Sequence, residues 1–224
     1  MKVTASKRYL LHQCQYPWRG DHPWDETSGR PAKEGTAVHV AIEHHGESGL
    51  PLPRLAKRLV PGYVAACEFI DSIGVDKVRR EVAYGANPAT GEAVALPKGE
   101  ARDYGDWPVG GTIDLEYPVS ANEVAIVDWK TGNDHPADYD AQMQTLAAMS
   151  GAKVARLAFI GSGDIVWRDV EVLPEAEVMA SLAADVAAIP DAFPQPGEHC
   201  SASFCPIRKV CPAAEITPYK WSRE

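Results

Sequence analysis

The chain of 224 residues contains no apolar run long enough to span a bilayer. Its opening, Met1-Lys2-Val3-Thr4-Ala5-Ser6, lacks the apolar core of a secretory signal, so the expectation is a protein that stays in the cytoplasm. Internal repeats and low-complexity segments are missing too. Cationic charge is scarce: Lys plus Arg number 22 against 31 for Asp plus Glu, a net charge of −9. That excludes a uniformly basic surface and leaves room only for a locally basic groove, for which Lys7, Arg8, Arg19, Lys57, Arg58, Lys77, Arg79 and Arg80 are candidates. The cysteines number five, an odd count that disfavours a disulfide framework in a chain without an export signal. His-Glu-x-x-His does not occur, which removes the zinc-protease reading.

What remains is ordinary for a globular protein, 45% hydrophobic and 24% charged residues in a length that supports one sizeable core. Two runs rich in β-branched residues, Gly110 to Glu116 and Val124 to Gly132, read as adjacent antiparallel strands. Side chains alternate along a strand, so Asp128 and Lys130 share a face while Trp129 points away. With Asp114 on the neighbouring strand this places two carboxylates and an ammonium in one cluster. Asp-x-Lys on a strand is more often a solvated face. Here, however, the acids follow Ile113 and Val127, and a carboxylate in apolar surroundings needs a partner. Hard carboxylate oxygens suit Mg²⁺ or Mn²⁺, and a nearby ammonium can meet charge developing on a phosphate.

Around these strands the pattern predicts a short helix from Ser6, its cap, to before Pro17, and a loop over 20–33. A helix follows from Glu34 to Gly46, begun by Thr36 or Gly35 and placing His39 and Glu43 on one face. Leu52 to Ile73 is helical with a break at Pro61-Gly62, Val78 to Tyr84 is a strand, and Gly85 to Asp106 is a hairpin-like segment that could close over a groove. After a loop from Thr131 to Ala137 come a helix over Asp138 to Met149 with Gln142 one turn in, and strands Val154 to Ile160 and Ile165 to Val170 joined by a tight hairpin. An alanine-rich helix spans Pro174 to Ile189. The order implies an α/β fold, a mixed central sheet flanked by helices. Cys200, Cys205 and Cys211 crowd into a proline-punctuated loop that something must hold, and thiolates around a metal, with Cys14 as a fourth ligand, are the economical explanation. Cys67 reads as a small core residue.

Gly-Thr-Ile-Asp114, Val-Asp128-Trp-Lys130-Thr-Gly and the helical Gln142 together resemble the PD-(D/E)xK nuclease superfamily. More narrowly they are similar to its RecB/AddB-like exonuclease branch, which includes small CRISPR-associated and phage-encoded iron-sulfur exonucleases. The resemblance implies a restriction-endonuclease-like core whose N- and C-terminal segments are joined by a metal cluster: one nuclease domain over 1–224, with 1–18 and 197–224 forming the cluster subdomain. It assigns Mg²⁺ or Mn²⁺ to His39, Asp114, Asp128 and the main-chain carbonyl of Trp129. Lys130 positions the attacking water, and Gln142 orients it or a phosphate. Glu43 is a weaker candidate, and Glu81 is either an added acid of the site or a surface acid. Cys14, Cys200, Cys205 and Cys211 would hold a [4Fe-4S] cluster. The branch's usual Cys-x2-Cys-x5-Cys is two residues longer in its first gap here, which keeps a structural Zn²⁺ open. The branch also has Gln-x3-Tyr where this chain has Leu146. The implied substrate is DNA, single-stranded or with free ends, cut exonucleolytically in a prokaryotic or phage-infected cell, with a protein partner in recombination or CRISPR adaptation. A catalytically silent nucleic-acid-binding or assembly module, and an electron-transfer protein, are the alternatives.

Overall fold

The computed structural model describes residues 2–20, 24, 30–47, 53–97, 104–133, 135–197, 200, 205–207 and 210–215. In chain order the elements are β1 (Val3–Thr4), α1 (Arg8–Gln13), α2 (Arg30–Glu43), α3 (Val60–Ile73), β2 (Arg79–Asn87), β3 (Glu92–Ala95), β4 (Val109–Ser120), β5 (Glu123–Lys130), α4 (Pro136–Ser150), β6 (Val154–Phe159), β7 (Val166–Val170) and α5 (Glu175–Ala187). The strands form one seven-stranded, mostly antiparallel sheet in the order β3-β2-β4-β5-β6-β7, with β1 added beside β4. Two pairings are parallel, β1 with β4 and β5 with β6. The second of these is connected through α4, since parallel neighbours need a crossover.

Helices cover both faces. On one side Leu10 and Leu11 of α1, Met143 and Leu146 of α4, and Val178 and Leu182 of α5 pack against Ile113, Ile126 and Leu157 of the sheet. On the other, Val38 and Ile42 of α2 and Ala66 and Ile70 of α3 pack against Leu115, Val127, Trp129 and Ala158. β5 serves both layers by simple alternation, Ile126 to the first and Ala125, Val127 and Trp129 to the second.

Local chemistry moves several element boundaries from where the sequence puts them. Pro61 and Gly62 lie in the first turn of α3 rather than breaking it, because proline lacks only an N–H that the first turn leaves without a helical partner. A Cβ on Gly62 would sit 2.6 Å from Ile160 Cγ2, so this glycine serves close packing. Thr36 does not cap α2, which begins at Arg30; its hydroxyl donates back to the Ala32 carbonyl at 3.0 Å. Nor does Ser6 cap α1, which starts from Lys7 without a side-chain cap, while residues 5–7 form a 3-10 turn. The hairpin expected after Gly85 is present and belongs to the sheet: β2 continues to Asn87 and pairs with β3, an edge strand. Its remaining residues 98–103 lie outside the described residues, as do 21–23 and 25–29 of the expected loop, 198–199, 201–204 and 208–209 of the cysteine loop, and the tail from 216. The connection from β6 to β7 spans 160–165 between the paired residues Phe159 and Val166, longer than a two-residue turn.

A buried ion pair fixes the N-terminal segment. Arg8 of α1 donates to Asp185 of α5 at 2.6 Å and to the Ser181 hydroxyl at 2.7 Å. Arg8 is therefore a structural residue and not part of a basic groove. Asp185→Ala leaves a buried guanidinium without its partner and is expected to destabilise the fold by about 3 kcal/mol. The double variant Arg8→Met with Asp185→Leu should recover most of that loss, as read by urea denaturation.

Candidate functional site

β4 has an interrupted edge. On one side it pairs with β2; on the other, β1 takes Val109 and Gly110 and β5 takes Leu115 to Ser120. Between those two partners, Gly111 to Asp114 have no strand neighbour on that side among the described residues. The gap opens into a cleft of about 770 Å³. His39 and Glu43 of α2, Glu81 of β2, Asp114 of β4, Lys130 of β5 and Gln142 of α4 line it, with Thr4 of β1 and Ser6 of the turn that follows.

The strands change face at this point. Ile113 and Leu115 would share a face in a regular strand, yet Ile113 belongs to the α1/α4/α5 core and Leu115 to the α2/α3 core. β2 does likewise: Val82 and Tyr84 join the first core, whereas the Arg80 guanidinium turns to the C-terminal end of α2 and donates to the Glu43 carbonyl at 2.9 Å. Glu81 stands between the Arg80–Leu115 and Val82–Ile113 pairs, opposite Asp114, with φ +49°. This left-handed conformation costs a non-glycine residue on the order of 1–2 kcal/mol. Its effect is to direct the Glu81 carboxylate toward Asp114 and His39; ligand atoms of these three side chains all lie within 4.8 Å of one another.

Asp114 is tied to two elements at once. Its Oδ2 accepts the Trp129 N–H at 2.7 Å, just past the last ladder pair of β4 with β5, and lies 3.3 Å from His39 Nδ1. Asp128 forms a second group behind it. Its Oδ2 is 2.6 Å from Lys130 Nζ, and its Oδ1 accepts from Gln142 Nε2 at 2.7 Å. Gln142 Oε1 in turn accepts from Lys130 Nζ at 3.0 Å, closing a ring of Asp128, Lys130 and Gln142. The Trp129 indole points to the opposite layer, against Phe69 and Trp167.

These contacts sort the charges. Burial pushes the Asp114 carboxyl up, but His39 above all, then the Trp129 N–H and Lys130, outweigh it and hold Asp114 below the ordinary carboxylate value. Burial dominates at Asp128, aided by the like charge of Asp114, and raises its carboxyl despite Lys130. For Lys130 burial acts downward, yet Asp128 and Asp114 prevail and keep the ammonium protonated above its usual value. Burial would likewise lower His39; Asp114 first, then Asp128 and Glu81, reverse this and raise it to about 9.

The cleft thus brings together His39, Asp114, Lys130 and Gln142, with Glu43 on its wall and Asp128 buried behind, while Glu81, weighed equally as a surface acid from sequence, stands inside the three-residue group. Leu146, at the position of the resembled motif's tyrosine, is core: its Cδ2 lies 2.6 Å from where a Cβ on Gly111 would be. An aromatic is present by another route, Tyr139, whose ring centroid is 4.4 Å from Lys130 Nζ. Spacing did not point to it, although Tyr139 and Gln142, three apart, share a helical face. Gly35 also gains a reason, since a Cβ there would sit 2.9 Å from Thr131 Oγ1, the residue after Lys130. The expected basic groove is largely spent on structure: besides Arg8 and Arg80, Arg79 pairs with Glu116 at 3.0 Å and Arg58 with Glu34 at 2.6 Å.

At the far end of α1, Cys14 is buried with Tyr16, Ala192 and Ile207, and Cys205 and Cys211 pack against the same group. Burial raises the Cys205 thiol, and Cys200, Cys211 and Cys14 each add to the rise. Cys67 is buried in α3, apart from these.

No protein-family model matches the chain, and no curated protein does. Among solved structures it is similar to SSO0001, with 14% identity over 95% of this chain and 86% of that one and a TM-score of 0.45. It is also similar to an alkaline exonuclease from Laribacter hongkongensis, with 14% identity over 85% and 88% of the two chains and a TM-score of 0.39. A phage-related exonuclease from Haemophilus somnus is 16% identical over 85% and 92%, with a TM-score of 0.39. Function has to be read from the cleft.

Two outcomes follow from the site. His39 is raised from 6.5 to about 9, so its protonation stabilises the metal-free fold fully below pH 6.5, and that contribution is lost as pH rises through about 9. In EDTA the melting temperature should fall more steeply between pH 7 and 10 for the wild type than for His39→Asn. At Glu81, replacement by glycine removes both the strained φ and a carboxylate facing Asp114. Glu81→Gly should therefore leave the metal-free melting temperature unchanged or higher while weakening Mn²⁺ binding at least about tenfold, as calorimetry would measure.

Proposed function

We propose that the chain is a divalent-metal-dependent deoxyribonuclease that hydrolyses phosphodiester bonds. One observation carries this reading: a single cleft holds His39, Glu81 and Asp114 in mutual ligand reach, directly beside the Asp128–Lys130–Gln142 ring. The two carboxylates are hard oxygen donors suited to Mg²⁺ or Mn²⁺, to which the imidazole adds a nitrogen donor. His39, Asp114 and Glu81 would hold the ion, with Asp128 and the Trp129 carbonyl, as the resemblance assigns them, completing its surroundings. The ion would supply Lewis acidity for ionising water and for neutralising a phosphate.

The remaining chemistry belongs to the chain. His39 could act as a ligand only in its neutral form, so holding a cation would require the His39–Asp114 pair to give up a proton. Lys130 brings a fixed positive charge toward the phosphate and the attacking water, and Gln142 holds that ammonium by its amide oxygen. Glu43 extends the acidic wall one helical turn from His39. We assign single-stranded or free-ended DNA as the substrate, exonucleolytic cleavage as the mode, and one nuclease domain with a cluster subdomain at 1–18 and 197–224. Cys14, Cys200, Cys205 and Cys211 would hold a [4Fe-4S] cluster, with structural Zn²⁺ as the competing occupant. A role for the cysteines as a staple between chain ends fits their position at the far end of α1 better than an electron-transfer role.

Purified protein with Mn²⁺ should degrade end-labelled DNA, faster when single-stranded, and Asp114→Ala and Lys130→Ala should each lower the rate at least about a hundredfold. Undiminished cleavage by both variants would remove the assignment; DNA binding without cleavage by the wild type would favour the silent module. Visible absorbance with about four irons per chain would support the cluster. Colourless protein with one zinc per chain would replace it.

A further inference from the structure

An ammonium has three N–H groups. Lys130 Nζ lies 2.6 Å from Asp128 Oδ2 as an ion pair, donates to Gln142 Oε1 at 3.0 Å and sits 4.4 Å from the centroid of the Tyr139 ring. The first of these partners is the one a divalent cation would compete for. If Asp128 turns toward a cation, the direct contacts that Lys130 keeps among the described residues are Gln142 and the ring, on a side chain with four rotatable bonds that would otherwise disperse.

Tyr139 is well placed for the task. Its hydroxyl donates to the Asn133 carbonyl at 3.3 Å, and its ring is flanked by Phe159 and His135, with centroids 6.2 and 5.7 Å away. The attraction of a cation to an aromatic face tolerates small displacements across the ring, unlike a hydrogen bond aimed at one oxygen. The ring can therefore keep the ammonium in place while its carboxylate partner changes. Leu146 cannot substitute, because it is buried beneath Gly111.

We propose that Tyr139 is a positioning residue for Lys130, holding the ammonium against its ring when Asp128 is drawn toward a divalent cation. The proposal rests on the nuclease reading above. It gives the helix α4 two jobs in one turn, with Gln142 orienting the lysine by hydrogen bond and Tyr139 by its face.

The test compares Tyr139→Leu with Tyr139→Phe. Tyr139→Leu should lower kcat on a single-stranded oligonucleotide at least about tenfold with KM unchanged, and Tyr139→Phe should keep wild-type kcat. Independently of activity, the ε-methylene protons of Lys130, observed by NMR in protein with labelled lysine, should show an upfield ring-current shift that persists when Mg²⁺ is added. That shift should be present in Tyr139→Phe and absent in Tyr139→Leu. Wild-type kcat in Tyr139→Leu, equal losses in both variants, or disappearance of the shift on adding Mg²⁺ would each overturn the proposal. If the wild type cleaves and Lys130→Ala does not, such an outcome sinks the role of Tyr139 alone. A wild type without metal-dependent cleavage sinks both.

Discussion

One oxygen of Asp114 accepts the main-chain N–H of Trp129 at 2.7 Å and lies 3.3 Å from His39 Nδ1. Those contacts tie β4 to β5 beyond the end of their ladder and bring α2 onto both. A buried carboxylate without such partners would be costly. With them it stays ionised, and its charge in turn raises His39 and supports the Lys130 ammonium. The cleft is therefore a charged cluster held together by its own internal neutralisation.

On the proposed nuclease reading, that neutralisation is what lets an acidic chain meet an anionic polymer. The arginines that might have formed a basic track are committed elsewhere: Arg8 to Asp185, Arg58 to Glu34, Arg79 to Glu116, and Arg80 to the carbonyls closing α2. Within the cleft, Glu43, Glu81 and Asp114 face His39 and Lys130. On the proposed reading, the cation that enables hydrolysis also lowers the repulsion between this cleft and a phosphate.

The strands carrying Asp114, Asp128 and Lys130 were legible because β-branched runs and period-two alternation are local signals, and β5 keeps that alternation throughout. Helix α4 was legible for a similar reason, with Asp138 in its first turn, although it begins at Pro136, two residues before the expected start. What escaped is what depends on distant contacts or on a departure from regularity. β1 is too short to leave a pattern and exists because it fills an edge of β4. The face change at Glu81 rests on a left-handed φ at a residue type that gives no sign of it. Tyr139 went unseen because the expected aromatic position lay four residues after Gln142, where packing under Gly111 calls for leucine. The basic residues look alike in sequence whether they meet DNA or a buried aspartate.

The central claim is that His39, Glu81 and Asp114 form a divalent-cation site beside a held lysine. Electron paramagnetic resonance of Mn²⁺ titrated into the wild type and Asp114→Asn tests it most directly, since it reads binding without substrate. The account predicts saturable binding at a single high-affinity site per chain in the wild type, lost in Asp114→Asn while the variant remains folded. Equal Mn²⁺ binding by the two proteins, or none by either, would contradict it.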